Sequence, residues 1–521
     1  MNLKTEKKNI FINNKQIIII SIFFLSGLVL DGFKNYFYAF LFFLISVFFA
    51  YYKNIRIKFD SFLFLIISIF LSDLFSVYFF DSFASFITWL NCAIFYYYIN
   101  SLDESQSAMF FKNLKKFFIY FCVLVSIWAV VCFFINHNFY FIGENPNYAS
   151  LFITLAMFCC FLEYNDKKKK VYLLLFIPLS LSLLILNSRA AYISLIISFI
   201  IFYNKNKFRI FIYFFTFILL LFLISHKAMY YLFKLDDPKA YYRIDIWISS
   251  FKAFISSPFL GYGSNSFEYV FEKFKFPFFD GLSYYNHSTF HSHNELLNIA
   301  VENGILSLIL YLSVIYKGFI YKKRDFLYFS FIIITIFSLF DIVLRVPFIK
   351  IFYFIVISGL LRENVKFIKF REVSFLFILI ILAAISLYFD EKSEFKNYKK
   401  TYSQISSYNR YRNSAISEYM SYEYPLNPIF PFENAKFYYV SGALDSAYDM
   451  AQKSLSIEPY FNNALLMVSD IEIKKGDMEK AYFYFNRINF KSENYNFYSR
   501  YISDINPFIY AKIKNRLKGE R

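Results

Sequence analysis

Residues 17–30 read IIIISIFFLSGLVL, a run without a single charge. Similar runs recur along the first three-quarters of the chain, and many approach the roughly 20 residues a helix needs to cross a bilayer. Only helices and closed barrels satisfy every backbone group in lipid. Runs this long and this free of alternation exclude a barrel. Lys4, Lys7, Lys8 and Lys15 precede the opening run as they would in a signal peptide. No small-residue cleavage site follows, so the run reads as the first spanning helix. The chain is 58% hydrophobic and 24% aromatic over 521 residues, and a soluble protein of that length does not repeat such runs a dozen times. An all-α, polytopic membrane protein with about 12–13 transmembrane helices is therefore expected.

The net charge of +17 would suit a nucleic-acid binder, but its distribution argues otherwise. Spans are expected near 17–30, 36–52, 62–80, 83–99, 117–135, 148–162, 171–186, 190–203, 208–225, 305–320, 327–343, 348–361 and 373–389. The inter-span segments then alternate, and the basic ones all fall on one side: Lys53/Arg56/Lys58, Lys112/Lys115/Lys116, Lys167 to Lys170, Lys205/Lys207/Arg209, Lys322/Lys323/Arg324 and Arg362/Lys366/Lys369/Arg371 join the N-terminal lysines there. That alternation is the positive-inside pattern. It predicts a cytoplasmic N-terminus, an external tail and no nucleic-acid partner. Cys92, Cys122, Cys132, Cys159 and Cys160 lie in or beside apolar runs, where neither a disulfide framework nor a zinc cluster would be built.

Under this topology Glu144, Asn147, Arg189, the long segment 226–304 and Arg345 converge on the non-cytoplasmic side. Polar groups at membrane depth are costly and default to functional candidates, so chemistry is expected on that face. The segment 287–297, HSTFHSHNELL, holds three of the five histidines. His287 and His291 have a zinc-like spacing but lack a cysteine or His-Glu-x-x-His partner. Ser292 is expected to cap a helix through Leu296, with Glu295 completing a capping box. A neutral imidazole can also take a proton from an alcohol at physiological pH. A lipid-diphosphate donor would then need cations, and arginine forks bind phosphate oxygens while remaining charged. Arg189, in Asn187-Ser-Arg-Ala-Ala191, and Arg243, in Tyr-Tyr-Arg-Ile-Asp-Ile-Trp, are the candidates. Snorkelling would account for Arg189 equally well, and a surface helix running to Ile255 would account for Arg243.

The tail from about 390 is polar and rich in Tyr and Asn. Gly442-Ala-Leu-Asp-Ser-Ala447 aligns with Gly476-Asp-Met-Glu-Lys-Ala481, and Pro459 falls where a tetratricopeptide repeat closes its second helix. Two domains are expected: a transmembrane domain over 1–389 and a tetratricopeptide-like helical domain over 390–521.

The sequence resembles the bacterial O-antigen ligase superfamily of O-antigen ligases, O-antigen polymerases and protein O-oligosaccharyltransferases. His293-Asn294, then Glu295 to Asn303, then Gly304 resembles its His-(Asn/Ser/Gln)–nine–Gly signature. Arg243-Ile-Asp-Ile-Trp247 with Pro258-Phe-Leu-Gly261-Tyr-Gly263 resembles its Arg-x-x-x-Trp and Pro-x-x-Gly-x-Gly stretch. Asn187–Ala191 resembles its arginine motif, and Gly143-Glu-Asn-Pro-Asn147 its Asn-containing motif. The resemblance covers roughly residues 120–360; Ser307 departs from the Gly, Thr or Tyr that ligases often carry. It implies an inner-membrane, metal-independent glycosyltransferase that needs no cofactor. His293 would be the general base, with Arg189 and Arg243 holding undecaprenyl diphosphate as it leaves. Glu144, Asn147, His291, Asn294, Glu295 and Arg345 are expected to line or support the site. The external side would be the periplasm, and the tail favours acceptor proteins over lipid A core, with a growing glycan third. A transporter or scaffold is the non-enzymatic alternative, but the paired broken helices of transporters are not evident.

Overall fold

A computed structural model describes residues 17–76, 79–135, 139, 141–142, 145–203, 242–274, 289–321, 323–362, 365–386, 417–419, 421–422, 428–459, 461–488 and 507–519. The described residues are all-α apart from one short ribbon. Its helices run α1 (Ile17–Val29), α2 (Tyr36–Lys53), α3 (Ser61–Leu74), α4 (Phe79–Asn100), α5 (Glu104–Phe134), α6 (Pro146–Lys167), α7 (Val171–Leu186) and α8 (Arg189–Phe202). They continue as α9 (Tyr242–Ser256), α10 (Phe267–Phe274), α11 (Glu295–Phe319), α12 (Phe326–Ser338), α13 (Pro347–Leu360) and α14 (370–386). Every expected span coincides with a helix except 208–225, which lies outside the described residues.

Two expected boundaries need correction. The run 62–80 stops being helical after Leu74, and 327–343 stops at Ser338. In both cases an acidic residue, Asp73 or Asp341, stands at the end of the apolar run and makes polar contacts. Starts are set by short polar side chains that accept the orphan amides of the first turn. Asn35 caps α2, Asp60 caps α3 and Asp325 caps α12.

Among the described helices, α5, α6 and α11 are long and apolar enough to cross a membrane outright; α1, α2, α3, α7, α8, α12 and α13 are shorter apolar helices. Their exposed faces are as apolar as their buried ones. On α5, Tyr120, Leu124, Ile127, Trp128 and Val131 form an outward stripe, with Leu124 68% exposed. Contiguous apolar surface of this extent is untenable in water and natural against lipid.

The chain falls into two compact units. The first comprises the described residues of 1–243, 257–265 and 292–384. Inside it, α13 packs on α4 and α12, α12 on α6 and α8, and α11 on α3. The phenylalanine excess is spent here: Phe118 stacks on Phe352 at 5.3 Å and Phe152 on Phe348 at 5.8 Å, joining α5, α6 and α13. Lys350, buried in α13, places its ammonium 4.2 Å from the Trp89 ring centre, a cation–π contact that offsets its desolvation. A ribbon of β1 (Arg56–Lys58) and β2 (Phe367–Lys369) closes one end with antiparallel register Ile57↔Ile368. Its three-residue strands gave no sequence signal.

The second unit comprises the described residues of 244–256, 266–291 and 385–521. The tail contains α15 (Ile429–Val440), α16 (Leu444–Ile457), α17 (Asn462–Lys475), α18 (Met478–Phe485) and α19 (Pro507–Leu517). The repeated motif appears as two helical hairpins. Gly442 and Gly476, both left-handed at φ 84° and 86°, end α15 and α17, and the matching Ala447 and Ala481 are fully buried. Ile429, Phe432, Ala451, Phe461 and Leu465 share one apolar core. The second helix ends at Ile457, just ahead of Pro459, as a following proline favours.

Candidate functional site

The start of α11 positions the central histidine. Ser292 Oγ donates to the Asn294 carbonyl at 2.6 Å and accepts from its amide at 3.3 Å. Between these bonds His293 adopts φ 54°, a left-handed conformation uncommon outside glycine. The expected Ser292 cap is corrected: Asn294 is the cap, its Oδ1 accepting from Leu296 N at 3.0 Å and Leu297 N at 3.2 Å. Asparagine reaches these amides because it stands immediately before the first helical residue. Glu295 is that residue and is buried, so it completes no box with Ser292. Asn294 Nδ2 also donates to Leu339 O at 3.2 Å, tying the turn to the end of α12.

That tie brings two distant segments together. The His293 imidazole is 28% exposed, and its Nδ1 lies 3.4 Å from Asp341 Oδ1, an ion-pair distance. Asp341 is buried; its Oδ1 accepts from the Ile342 amide at 2.8 Å and its Oδ2 accepts from Asn147 Nδ2. Asn147 is presented by the first turn of α6, which Asn145 caps and Pro146 opens. A few residues beyond Asp341, the 3-10 turn Val343–Arg345 carries Arg345. Its guanidinium lies 3.8 Å from Glu302 Oε1 and donates to Asn265 Oδ1. Lys34 adds a further cation: its Nζ donates to the Ile142 carbonyl at 2.7 Å and lies 5.2 Å from the ring centre of Tyr148, the neighbour of Asn147.

The glycines of the signature have a backbone role. Residues 258–263 run beside 301–305, with Tyr262 N donating to Val301 O at 3.1 Å, Gly263 N to Glu302 O at 2.7 Å and Ile305 N to Pro258 O at 2.8 Å. The pairing interrupts α11 at Gly304, whose φ 74° and ψ −175° are accessible essentially to glycine alone. A Cβ at Gly304 would lie 2.1 Å from the Phe259 carbonyl oxygen, and one at Gly261 2.4 Å from that of Glu302.

Of the residues singled out by sequence, the structure brings His293 and Asn147 to Asp341, with Asn294 holding the turn. Arg345, four residues beyond Asp341 in the chain, is held by Glu302 and Asn265. Arg189 and Arg243, both half-buried, stand in the first turns of α8 and α9. His291 belongs to the second unit, where its carbonyl accepts from Thr289 Oγ1 at 2.8 Å. Partial burial holds the Asp245 carboxyl, near the start of α9, above its usual range. Glu144 and His287 lie outside the described residues. Sequence reasoning missed Asp341 and Lys34. Asp341 had a usable signal, an acid within a predicted span; Lys34 stands between the first two expected spans with no motif around it.

An imidazole set beside a buried carboxylate and half-open to its surroundings can accept a proton from an alcohol and tolerate the charge it gains. Fold and site together define an all-α membrane protein with a histidine–carboxylate pair at the end of one of its bundle helices. The family model for O-antigen ligases matches residues 173–312, from α7 into α11, and so includes Arg189, Arg243, His293 and Gly304. Over that segment the chain is similar to O-antigen ligases, which supports glycan transfer of the ligase, polymerase or oligosaccharyltransferase type. No curated protein and no solved structure shows significant similarity to the chain.

Proposed function

We propose that this protein is an oligosaccharyltransferase that moves a glycan from undecaprenyl diphosphate to an acceptor hydroxyl on the periplasmic face of the inner membrane. The observation that carries this reading is the His293–Asp341 pair, held by Asn147. A carboxylate facing Nδ1 favours the tautomer with the proton on that nitrogen, leaving the Nε2 lone pair as the base. Nε2 takes the acceptor proton as the hydroxyl oxygen attacks the anomeric carbon. The bond from that carbon to the diphosphate oxygen breaks, and the electron pair leaves with undecaprenyl diphosphate. Arg189 and Arg243 offset the charge that collects on the departing diphosphate. Asp341 stabilises the imidazolium until its proton returns to water. The reaction is written without a metal because a diphosphate is already a good leaving group.

Protein Ser or Thr is the favoured acceptor. The tail supports this choice, because stacked helical hairpins present an extended face to partners. Residues 1–389 would then form the membrane transferase domain, with a cytoplasmic N-terminus, and 390–521 a tetratricopeptide-like periplasmic domain. Lipid A core is the second acceptor and a growing glycan the third. A strain lacking the gene decides among them: loss of glycosylated periplasmic or pilin-like proteins with intact O-antigen-bearing lipopolysaccharide is expected. Loss of the lipopolysaccharide form alone would move the assignment to a ligase. Loss of neither would favour a transporter or scaffold.

The arginines supply a separate check. Arg189→Ala and Arg243→Ala should each slow transfer on the order of 100-fold, the scale for removing one stabiliser of developing charge. The lysine variants should lose less, because they keep the charge and give up only the fork. Alanine and lysine variants that all match the wild type would remove the diphosphate role.

A further inference from the structure

The buried acid at the end of α3 takes no part in the proposed reaction, yet it is bonded to the loop that holds Arg345. Asp73 is 2% exposed. Its Oδ1 accepts from the Ser264 amide at 2.6 Å and from Asn303 Nδ2 at 3.4 Å. Asn303 Nδ2 also donates to Ser264 Oγ at 2.9 Å. Hydroxyls on α3, beyond its end and on α4 grip the same strap. Ser72 Oγ donates to Leu260 O at 2.5 Å, Ser76 Oγ to Tyr262 O at 2.8 Å and Ser82 Oγ to Ser264 O at 2.8 Å. All of these residues belong to the first unit.

We infer that Asp73 is a positioning residue, anchoring the Pro258–Asn265 strap so that Asn265 holds the Arg345 guanidinium and, through it, the short turn that follows Asp341. The inference rests on the proposed transferase reading. Asp73 bonds the amide of Ser264, and the next residue, Asn265, stands at φ 65° and accepts from Arg345. Arg345 in turn closes the short turn that begins at Asp341. The serine contacts fix carbonyls of residues 260–264; the Asp73 contact fixes the amide that sets the direction of Asn265. A buried carboxyl group is a costly way to hold a loop unless it is hydrogen-bonded; here Oδ1 carries the bonds, to the strap and to the α11 segment paired with it, while Oδ2 is buried with no hydrogen-bond partner among the described residues.

The test uses the full-length protein in liposomes with a polyprenyl-diphosphate-linked glycan and a hydroxyl acceptor. Asp73→Ala should lower kcat about tenfold while the donor KM stays within about twofold, the pattern of an interaction that matters in the transition state. Asp73→Asn keeps an acceptor oxygen for the Ser264 amide and should restore kcat to within about threefold of wild type. Asn265→Ala should mimic Asp73→Ala, and the double variant should be no slower than Asn265→Ala alone, because both act through one contact. Multiplying losses in the double variant, or an Asp73→Asn variant as slow as Asp73→Ala, would overturn the positioning role. If Asp73→Ala does not fold, the Asp73→Asn and Asn265→Ala comparison still decides. An active wild type with an unimpaired Asp73→Ala variant refutes this inference alone; an inert wild type refutes the transferase reading.

Discussion

Replacing His293 with alanine is expected to slow glycan transfer on the order of 10²–10⁴-fold, the usual worth of a positioned general base. The protein should still insert, because the imidazole is 28% exposed and the cap of α11 belongs to Asn294. Asp341→Asn should also be impaired. It keeps the shape but loses the charge that favours the proton on Nδ1 and stabilises the imidazolium. Removing the base and its partner together should cost little more than removing the base alone, since the two act as a unit. His287→Ala should be milder, because His293 alone has the signature spacing to Gly304. Wild-type rates in the His293 variant would remove this residue as base.

Gly304→Ala is expected to damage the fold as well as the activity. Its backbone conformation costs a residue with a Cβ about 1–3 kcal/mol, and the new carbon would also meet the Phe259 carbonyl oxygen at 2.1 Å. Backbone cannot yield as a side chain can. The strap 258–263 must therefore separate from 301–305, losing the hydrogen bonds of Tyr262, Gly263 and Ile305. Gly442→Ala is the matching control: its φ is 84° and nothing lies within 4 Å of the added carbon. It should cost only the left-handed penalty of about 1–2 kcal/mol. Thermal unfolding in detergent should show a larger loss for Gly304→Ala. Equal losses would mean that the strap carries no packing.

The membrane bundle was legible in the sequence because each span announces itself locally, through a run of apolar residues. Span ends were less so: Asp73 and Asp341 cut two runs short through contacts made far along the chain. The site was legible in part. The spacing from His293 to Gly304 marked the histidine, and polar side chains on the expected outer face marked Arg345 and Asn147. Ser292 looked like the cap because serine suits that position, but the tight turn at His293 passes the task to Asn294. The pairing of His293 with Asp341 was not visible, since it depends on α11 and α12 being joined by Asn294 and Leu339. Nor did the spacing reveal why Gly304 must be glycine, which follows only from the strap lying across it. The 34-residue repeat showed in the tail because each hairpin reuses a glycine turn and a buried alanine.

The most direct measurement is the release of undecaprenyl diphosphate by purified protein in liposomes, followed together with glycan appearing on an acceptor hydroxyl. The account predicts that wild type yields both products in equal amounts and that His293→Ala yields neither at a comparable rate. Equal turnover by the two proteins, or glycan transfer without release of the lipid diphosphate, would contradict it.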